Sequence, residues 1–361
     1  MLYYLSCDAN YFLFFGLPAE ADAFNVWRMS LFIAAIRERV GTRFSCSFFC
    51  FSSMGDSPMT IIDVQNLFST DEKARELLER LRWPNGPECP RCKTQQLARL
   101  SEKLLYCKDC DYQFSVTAGS IFHDSHLPLI KWFTVTYLMC ESKKGMSAKQ
   151  IERMMGISYK TAWYLCHRIR KAMASCDKPM LDGTIEMDET YVGGKQRGVG
   201  GGRSTYNKEI VVGIRQRGGD LRFFHAEDVK SGTLAKYVKE NVSTDVDVIM
   251  TDDFGAYPNA MKRAGQDAAK HKTINHSKKV YVQGDIYTNT VESAFSLLKR
   301  GIMGTWHKIS AKHLAAYLEE MTFRFNRRKS PTLWIDTLRH MITADPLTFE
   351  NLTAEPEPVP F

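Results

Sequence analysis

Four of the ten cysteines in this 361-residue chain stand as two pairs, Cys89-Pro90-Arg91-Cys92 and Cys107-Lys108-Asp109-Cys110, with 14 residues between them. A C-x2-C turn presents two thiolates to one ion. Two such turns complete the tetrahedron that Zn²⁺ prefers and leave no open coordination position. Cys89, Cys92, Cys107 and Cys110 are therefore expected to bind a structural zinc that holds the fold and does no chemistry. A pair of redox motifs and coincidental core cysteines are the competing readings. Cys140, Cys166 and Cys176 are single and read as small buried side chains.

A second set of residues suits reactions at phosphorus. In Thr184-Ile185-Glu186-Met187-Asp188-Glu189-Thr190 the two-residue period of a strand puts Asp188 on the face opposite Ile185 and Met187. Asp252 closes a second strand-like run that begins at Val246. The third piece, Thr290 to Arg300, reads as an amphipathic helix with Val291, Ala294, Phe295 and Leu298 as its buried stripe. Glu292 and Lys299 are seven residues apart, two helical turns, so they share a face with Ser296 between them. Three carboxylates converging from two strands and a helix would hold a pair of Mg²⁺ or Mn²⁺ ions, hard cations that take oxygen ligands. Such a pair supports in-line displacement at phosphorus with no covalent enzyme intermediate, and Lys299 would hold a nearby phosphate. Glu186, Glu189, Asp253 and Asp285 are local competitors, and a single acid taken alone is more often a solvated side chain.

The elements that must position these groups follow from periodicity and punctuation. Asp71 and Glu72 open a helix that Trp83-Pro84-Asn85-Gly86-Pro87 stops. Residues 127–174 read as three helices. Strands are expected at 184–192, 210–216, 221–226 and 246–251, with a helix over about 234–241 between the last two. Gly193 to Arg203, with six glycines and three basic residues, reads as a loop, and the Glu355-Pro356-Glu357-Pro358 tail as disordered. The fold class is multidomain α/β: zinc ribbon plus helix-turn-helix, followed by a mixed-sheet catalytic domain. The expected divisions are an atypical extension over 1–58, an N-terminal helix and linker over 59–86, the ribbon over 87–122, the helix-turn-helix over 127–176, the catalytic domain over 182–330, and a C-terminal helix and tail over 331–361.

In the helix-turn-helix, Ser147 opens a short helix, Gly156 supplies the turn and Ser158 caps a second helix running to about Ala174. Ala162, Leu165, Cys166, Ile169 and Met173 share its core face, which leaves Lys160, Tyr164, His167, Arg168 and Lys171 outward. Eight basic residues against one acid lie between Lys143 and Lys171. A helix apolar behind and basic in front suits the major groove of DNA, with phosphate contacts from Lys and Arg. A plain solvated face on a helical bundle is the competing reading.

Composition sets the limits. The chain is 44% hydrophobic and 25% charged, an ordinary globular balance, and 48 Lys+Arg against 41 Asp+Glu give a formal charge of +7 that tilts the partner list toward polyanions. No apolar run reaches the roughly 18 to 20 residues of a membrane span. The first 58 residues hold nine of the 21 phenylalanines, three cysteines and no lysine. Without Lys or Arg in Met1 to Asn10 they are a poor export signal. They read as an upstream extension set before the working start, with Met54 or Met59 as initiator.

The order of these parts resembles the DDE transposases of bacterial insertion sequences, in the group with an N-terminal zinc ribbon. The resemblance rests on Trp83-Pro84-Asn85-Gly86 leading into the cysteines, Glu186 through Gly194, Thr251-Asp252 with Tyr257, and Tyr287 through Glu292 to Lys299-Arg300-Gly301. Gly304 to Lys308 and Phe323 to Arg328 extend it, so that it covers about Ile61 to Arg328. It implies an RNase H-like catalytic domain with Asp188, Asp252 and Glu292 as metal-binding triad and Lys299 as trailing lysine. Some members use Asn at the third acid, and Asn289 stands nearby. His276 falls in a family-like stretch, where contact with DNA and a buried structural histidine are the two readings. The resemblance further implies contact of Arg300 with DNA, recognition of terminal inverted repeats in double-stranded DNA, and strand cleavage and joining in a homodimer or higher oligomer. The setting it implies is the bacterial cytoplasm, with no membrane partner. A zinc-ribbon and helix-turn-helix regulator with an inactive catalytic domain, and a structure-specific nuclease that cuts without joining, are the alternatives.

Overall fold

The computed structural model describes residues 5–7, 10–12, 59–175, 178–193, 208–274 and 287–355. The chain divides into two compact units, Met1–Ser57 and Pro58–Phe361. In the first, the described residues form an antiparallel pair, β1 (Leu5–Cys7) on β2 (Asn10–Phe12). The expected tail beyond 355, most of the Gly193 to Arg203 loop, Cys176, Asp285 and His276 lie outside the described residues.

The second unit begins with α1 (Ile61–Leu67), opened by a reciprocal capping box between Thr60 and Asp63, and α2 (Asp71–Arg82), capped by Thr70. A three-stranded antiparallel ribbon follows: β3 (Leu97–Arg99), β4 (Leu105–Cys107) and β5 (Gln113–Phe114). Next come α3 (Leu129–Glu141), α4 (Ala148–Met155) and α5 (Tyr159–Ala174). Ser147 and Ser158 accept backbone N–H bonds at the starts of α4 and α5, and Gly156 takes the left-handed conformation (φ 59°) that the turn requires.

The larger sheet is built from β6 (Thr184–Val192), β7 (Glu209–Gln216), β8 (Leu221–Ala226), β9 (Val248–Asp252) and β10 (His271–Ile274), in the order β10-β9-β6-β7-β8. The first three strands pair antiparallel, whereas β9 runs parallel to β6, and β10 parallel to β9. Short turns suffice for the antiparallel part, and helical crossovers α6 (Ser231–Asn241) and α7 (Ala256–Ala264) serve the parallel part. These two helices cover one face, packing on Ile185, Met187, Val212 and Ile214. The other face, with Val211, Leu221 and Phe223, receives α8 (Asn289–Gly301) and α9 (Ala311–Arg327). A π-helical turn, Ile302–Trp306, joins those two helices. The fourth strand begins two residues later than its apolar run suggests, and β10 has no apolar alternation to announce it.

The chain ends in α10 (Leu333–Thr343) and α11 (Phe349–Thr353). They are no appendage: α10 packs on α2, α3 and α5, and α9 bridges α5 and β8. This corrects the expectation for α5. His167 and Arg168, expected to face outward, are 2% and 4% exposed. His167 lies among Trp163, His313 and Tyr317. Arg168 donates to the His123 carbonyl and sits over Trp132 and Tyr164. Tyr164 is half-buried and donates to the Leu347 carbonyl. Lys160 and Lys171 are exposed as expected. No helix among the described residues is long and apolar enough to cross a membrane.

Candidate active site and metal centres

The ribbon gathers its four thiol groups. Cys89 Sγ lies 3.6 Å from Cys110 Sγ, and Cys92 Sγ lies 3.4 Å from Cys107 Sγ and 3.5 Å from Cys110 Sγ. A tetrahedron with Zn–S bonds of about 2.3 Å separates its sulfurs by roughly 3.8 Å, so the set fits zinc with little adjustment. The residue after each knuckle, Lys93 (φ 62°) and Asp111 (φ 55°), is left-handed, which turns the backbone so that both cysteines of a pair face inward. Among the described residues this is the set of three or more metal-ligating atoms drawn within 4.8 Å of one another.

Asp188 lies midway along β6, and Asp252 closes the adjacent β9. The β6–β9 register pairs Glu186 with Met250, and two residues further along both strands stand Asp188 and Asp252. Each is half-buried, and each is oriented by a backbone N–H: Glu189 N donates to Asp188 Oδ1 at 2.9 Å, and Phe254 N to Asp252 Oδ1 at 3.0 Å. Glu292, exposed on the first turn of α8, comes from across the sheet face and accepts from Thr288 Oγ1 at 3.1 Å. Burial pushes the Asp188 carboxyl up to about 8, helped by the negative charges of Glu189, Asp252 and Glu292. The three acids thus share one electrostatic site. Unlike the four thiol sulfurs, the oxygens of the three acids do not all lie within 4.8 Å of one another. Lys299 and Arg300 are exposed further along α8.

Two residues that periodicity did not single out place α8. Glu186 lies on the Asp188 face, fully buried, and accepts from Thr290 N (2.9 Å), Thr290 Oγ1 (2.7 Å), Val291 N (3.0 Å) and Arg217 Nε (2.6 Å). Its carboxylate holds the N-terminal end of α8, where the helix dipole favours negative charge. Arg217 also donates to the Tyr287 carbonyl at 2.9 Å and lies over the Tyr287 ring. Gly213, paired with Asp188, lets the helix approach: a Cβ there would stand 2.8 Å from Phe295 Cζ and 3.0 Å from Val291 Cγ2. A glycine inside an apolar strand is the signal that could have found it. Glu189 points to the other face and accepts from the buried Tyr257 hydroxyl at 2.7 Å. Asn289 is the first residue of α8.

A mixed five-stranded sheet of this order, with one acid midway along a central strand, a second at the end of the adjacent strand and a third on the helix crossing the sheet face, defines an RNase H-like domain. Residues 69–113 match the transposase zinc-ribbon domain, and residues 180–326 match the ISXO2-like transposase domain. The chain belongs to the DDE-type insertion-sequence transposases that carry an N-terminal zinc ribbon. It is similar to an uncharacterized protein in transposable element ISH50 of Halobacterium salinarum, at 29% identity over 71% of this chain and 91% of that protein.

Proposed function

We propose that this transposase binds the terminal inverted repeats of its element and cleaves and joins DNA strands by in-line displacement at phosphorus. The observation that carries this reading is the placement of Asp188 and Asp252 on adjacent strands with Glu292 on the helix that crosses them, a site in which burial, helped by the neighbouring negative charges, lifts the Asp188 carboxyl to about 8. Paired carboxylates that resist ionising together gain most from divalent cations. Mg²⁺ or Mn²⁺ would be held by these three acids and would supply an activated nucleophile and stabilisation of the leaving oxygen. Glu186 and Gly213 fix how far α8 stands from the sheet, and so where Glu292 meets the other two acids. Lys299 and Arg300 extend the same helix surface toward the DNA backbone. In the helix-turn-helix, the burial of His167 and Arg168 moves the DNA face to the start of α5 and to α4, where Lys149, Arg153, Tyr159 and Lys160 are exposed. Lys171 borders it. Joining two element ends calls for at least two copies of the chain in one complex.

The test is incubation of protein, Mg²⁺ or Mn²⁺ and labelled element-end duplex, comparing wild type with Asp188→Asn. The wild type is expected to nick and join. Asp188→Asn should bind equally well and lose both steps by roughly a thousandfold. Binding without nicking by the wild type would favour a regulator, and nicking without joining a nuclease.

A further inference from the structure

We infer that Met303 is an apolar DNA contact that inserts at a base step of the element end, about five base pairs from the cleaved phosphodiester. This inference rests on the transposase reading. Met303 is 77% exposed, more than any other large apolar side chain among the described residues. A single exposed apolar side chain is ordinary on a protein surface, and it is the position and setting of this one that point to a partner.

Its position just beyond the end of α8 is the first argument. Glu292, Ser296, Lys299 and Met303 fall at i, i+4, i+7 and i+11, close to one line at 3.6 residues per turn, and all four are exposed. One stripe therefore presents a carboxylate, a hydroxyl, an ammonium and a methionine in order. At about 1.5 Å per residue, Met303 stands roughly 16 Å beyond Glu292. Duplex DNA rises about 3.4 Å per base pair, so a strand that reaches Glu292 and follows this stripe meets Met303 roughly five pairs later.

The second argument is how the side chain is held. The π-helical turn Ile302–Trp306 departs from the helical ladder, and its exit residue His307 takes φ 59° and ψ −56°, a conformation that a residue with a side chain rarely adopts. The His307 N–H bonds to the Ile302 carbonyl at 2.6 Å, and the Lys308 N–H to the Trp306 carbonyl at 2.7 Å. Beneath the turn, Trp306 is buried: its Nε1 donates to the Met146 carbonyl at 3.3 Å and its ring packs on Tyr317. A Cβ at Gly145 (φ 81°) would come within 2.6 Å of that ring. The turn is thus fixed from below while Met303 projects above it. The third argument is charge. Lys299, Arg300, His307 and Lys308 flank it in sequence and are exposed, a setting that attracts phosphates on either side of an inserted side chain.

The experiment uses the full-length, zinc-loaded protein and element-end duplexes carrying 2-aminopurine at successive positions from the cleavage site. Wild type and Asp188→Asn are expected to raise fluorescence severalfold at one step, about the fifth. Met303→Leu should keep that signal. Met303→Ser should lose it and bind the duplex about tenfold more weakly. Equal signals from Met303→Ser and wild type would overturn the proposal, as would fluorescence unchanged at every position. So would a Met303→Ser variant that changes only the oligomeric state, which would assign the methionine to a second copy. Failure of every variant to bind the duplex would overturn the transposase reading itself, and this inference with it.

Discussion

Helices α5 and α8 look alike as sequences, each apolar behind and charged in front, yet the structure treats their fronts in opposite ways. On α8 the stripe of Glu292, Ser296 and Lys299 is open. On α5, His167, Arg168 and Arg170 are covered. The difference lies in how many layers meet each helix. The sheet packs against the back of α8, and its outer stripe is left bare. The second helix, α5, lies against α3 and α4 and also against α9 and α10. The acid that receives Arg170 is Glu320, 150 residues away, with Arg170 Nε to Glu320 Oε2 at 2.6 Å and both side chains buried. Arg324 joins the same carboxylate at 3.2 Å and donates to the Ser142 carbonyl at 2.7 Å. A helix's own charge pattern says which residues share a face, but the remote chain decides whether water reaches it.

The largest test of that contrast is a matched pair of Glu→Gln substitutions. Glu320→Gln leaves two buried guanidinium groups without their counter-charge and is expected to lower stability by about 3–5 kcal/mol. Glu292→Gln, the same chemical change on the open helix of zinc-loaded protein without Mg²⁺ or Mn²⁺, should alter it by less than about 1 kcal/mol. Denaturant unfolding reads both, and equal losses would mean that the two fronts do not differ as described.

Much of the catalytic sheet was legible because its strands alternate cleanly. Thr184 to Val192 and Leu221 to Ala226 are strands over the spans that alternation indicates, and the buried stripe of α8 is the one its spacing gives. The four cysteines were legible for another reason: their ligand spacing is local and needs no knowledge of the fold. What could not be read is long-range. Strand β10 carries His271, Lys272 and Thr273, with no apolar period, and is a strand because β9 offers an open edge. Glu186 looked like one of several competing acids, and only the arrival of Thr290 and Val291 from 104 and 105 residues away makes it the anchor of α8. His167 and Arg168 are polar on the helical wheel, and nothing near them in sequence announces the C-terminal helices that bury them.

Acid should expose the covered front of α5 next. Burial, reinforced by the positive charges of Arg170 and His313, pushes the His167 imidazole down to about 2. Its unfolded value is about 6.5, so as pH falls below that value the unfolded chain takes up a proton that the folded chain refuses. The stability held by neutral His167 is complete above pH 6.5 and drains away between there and about 2, amounting to about 2 kcal/mol at pH 5. His167→Gln should flatten unfolding free energy between pH 7 and pH 5 by about that amount relative to wild type. An unchanged slope would place water beside this imidazole.

The smallest effects compare single cations on the two helices, and they separate DNA contact from packing. Lys299→Ala removes an exposed ammonium from α8. Stability is expected to move by less than about 0.5 kcal/mol, and the slope of log binding constant against log salt should fall by about 1, one phosphate contact fewer. Arg168→Met removes a guanidinium that α5 spends on the His123 carbonyl and two aromatic rings. It should cost about 1–3 kcal/mol of stability, because a buried acceptor loses its donor, while the salt slope keeps its wild-type value at a temperature where the variant is folded. The two measurements cross over: one substitution is silent in unfolding and visible in the salt titration, the other the reverse. A reduced slope for Arg168→Met would show that the C-terminal helices leave α5 when DNA arrives, and the covered front would then be a state of the free protein alone.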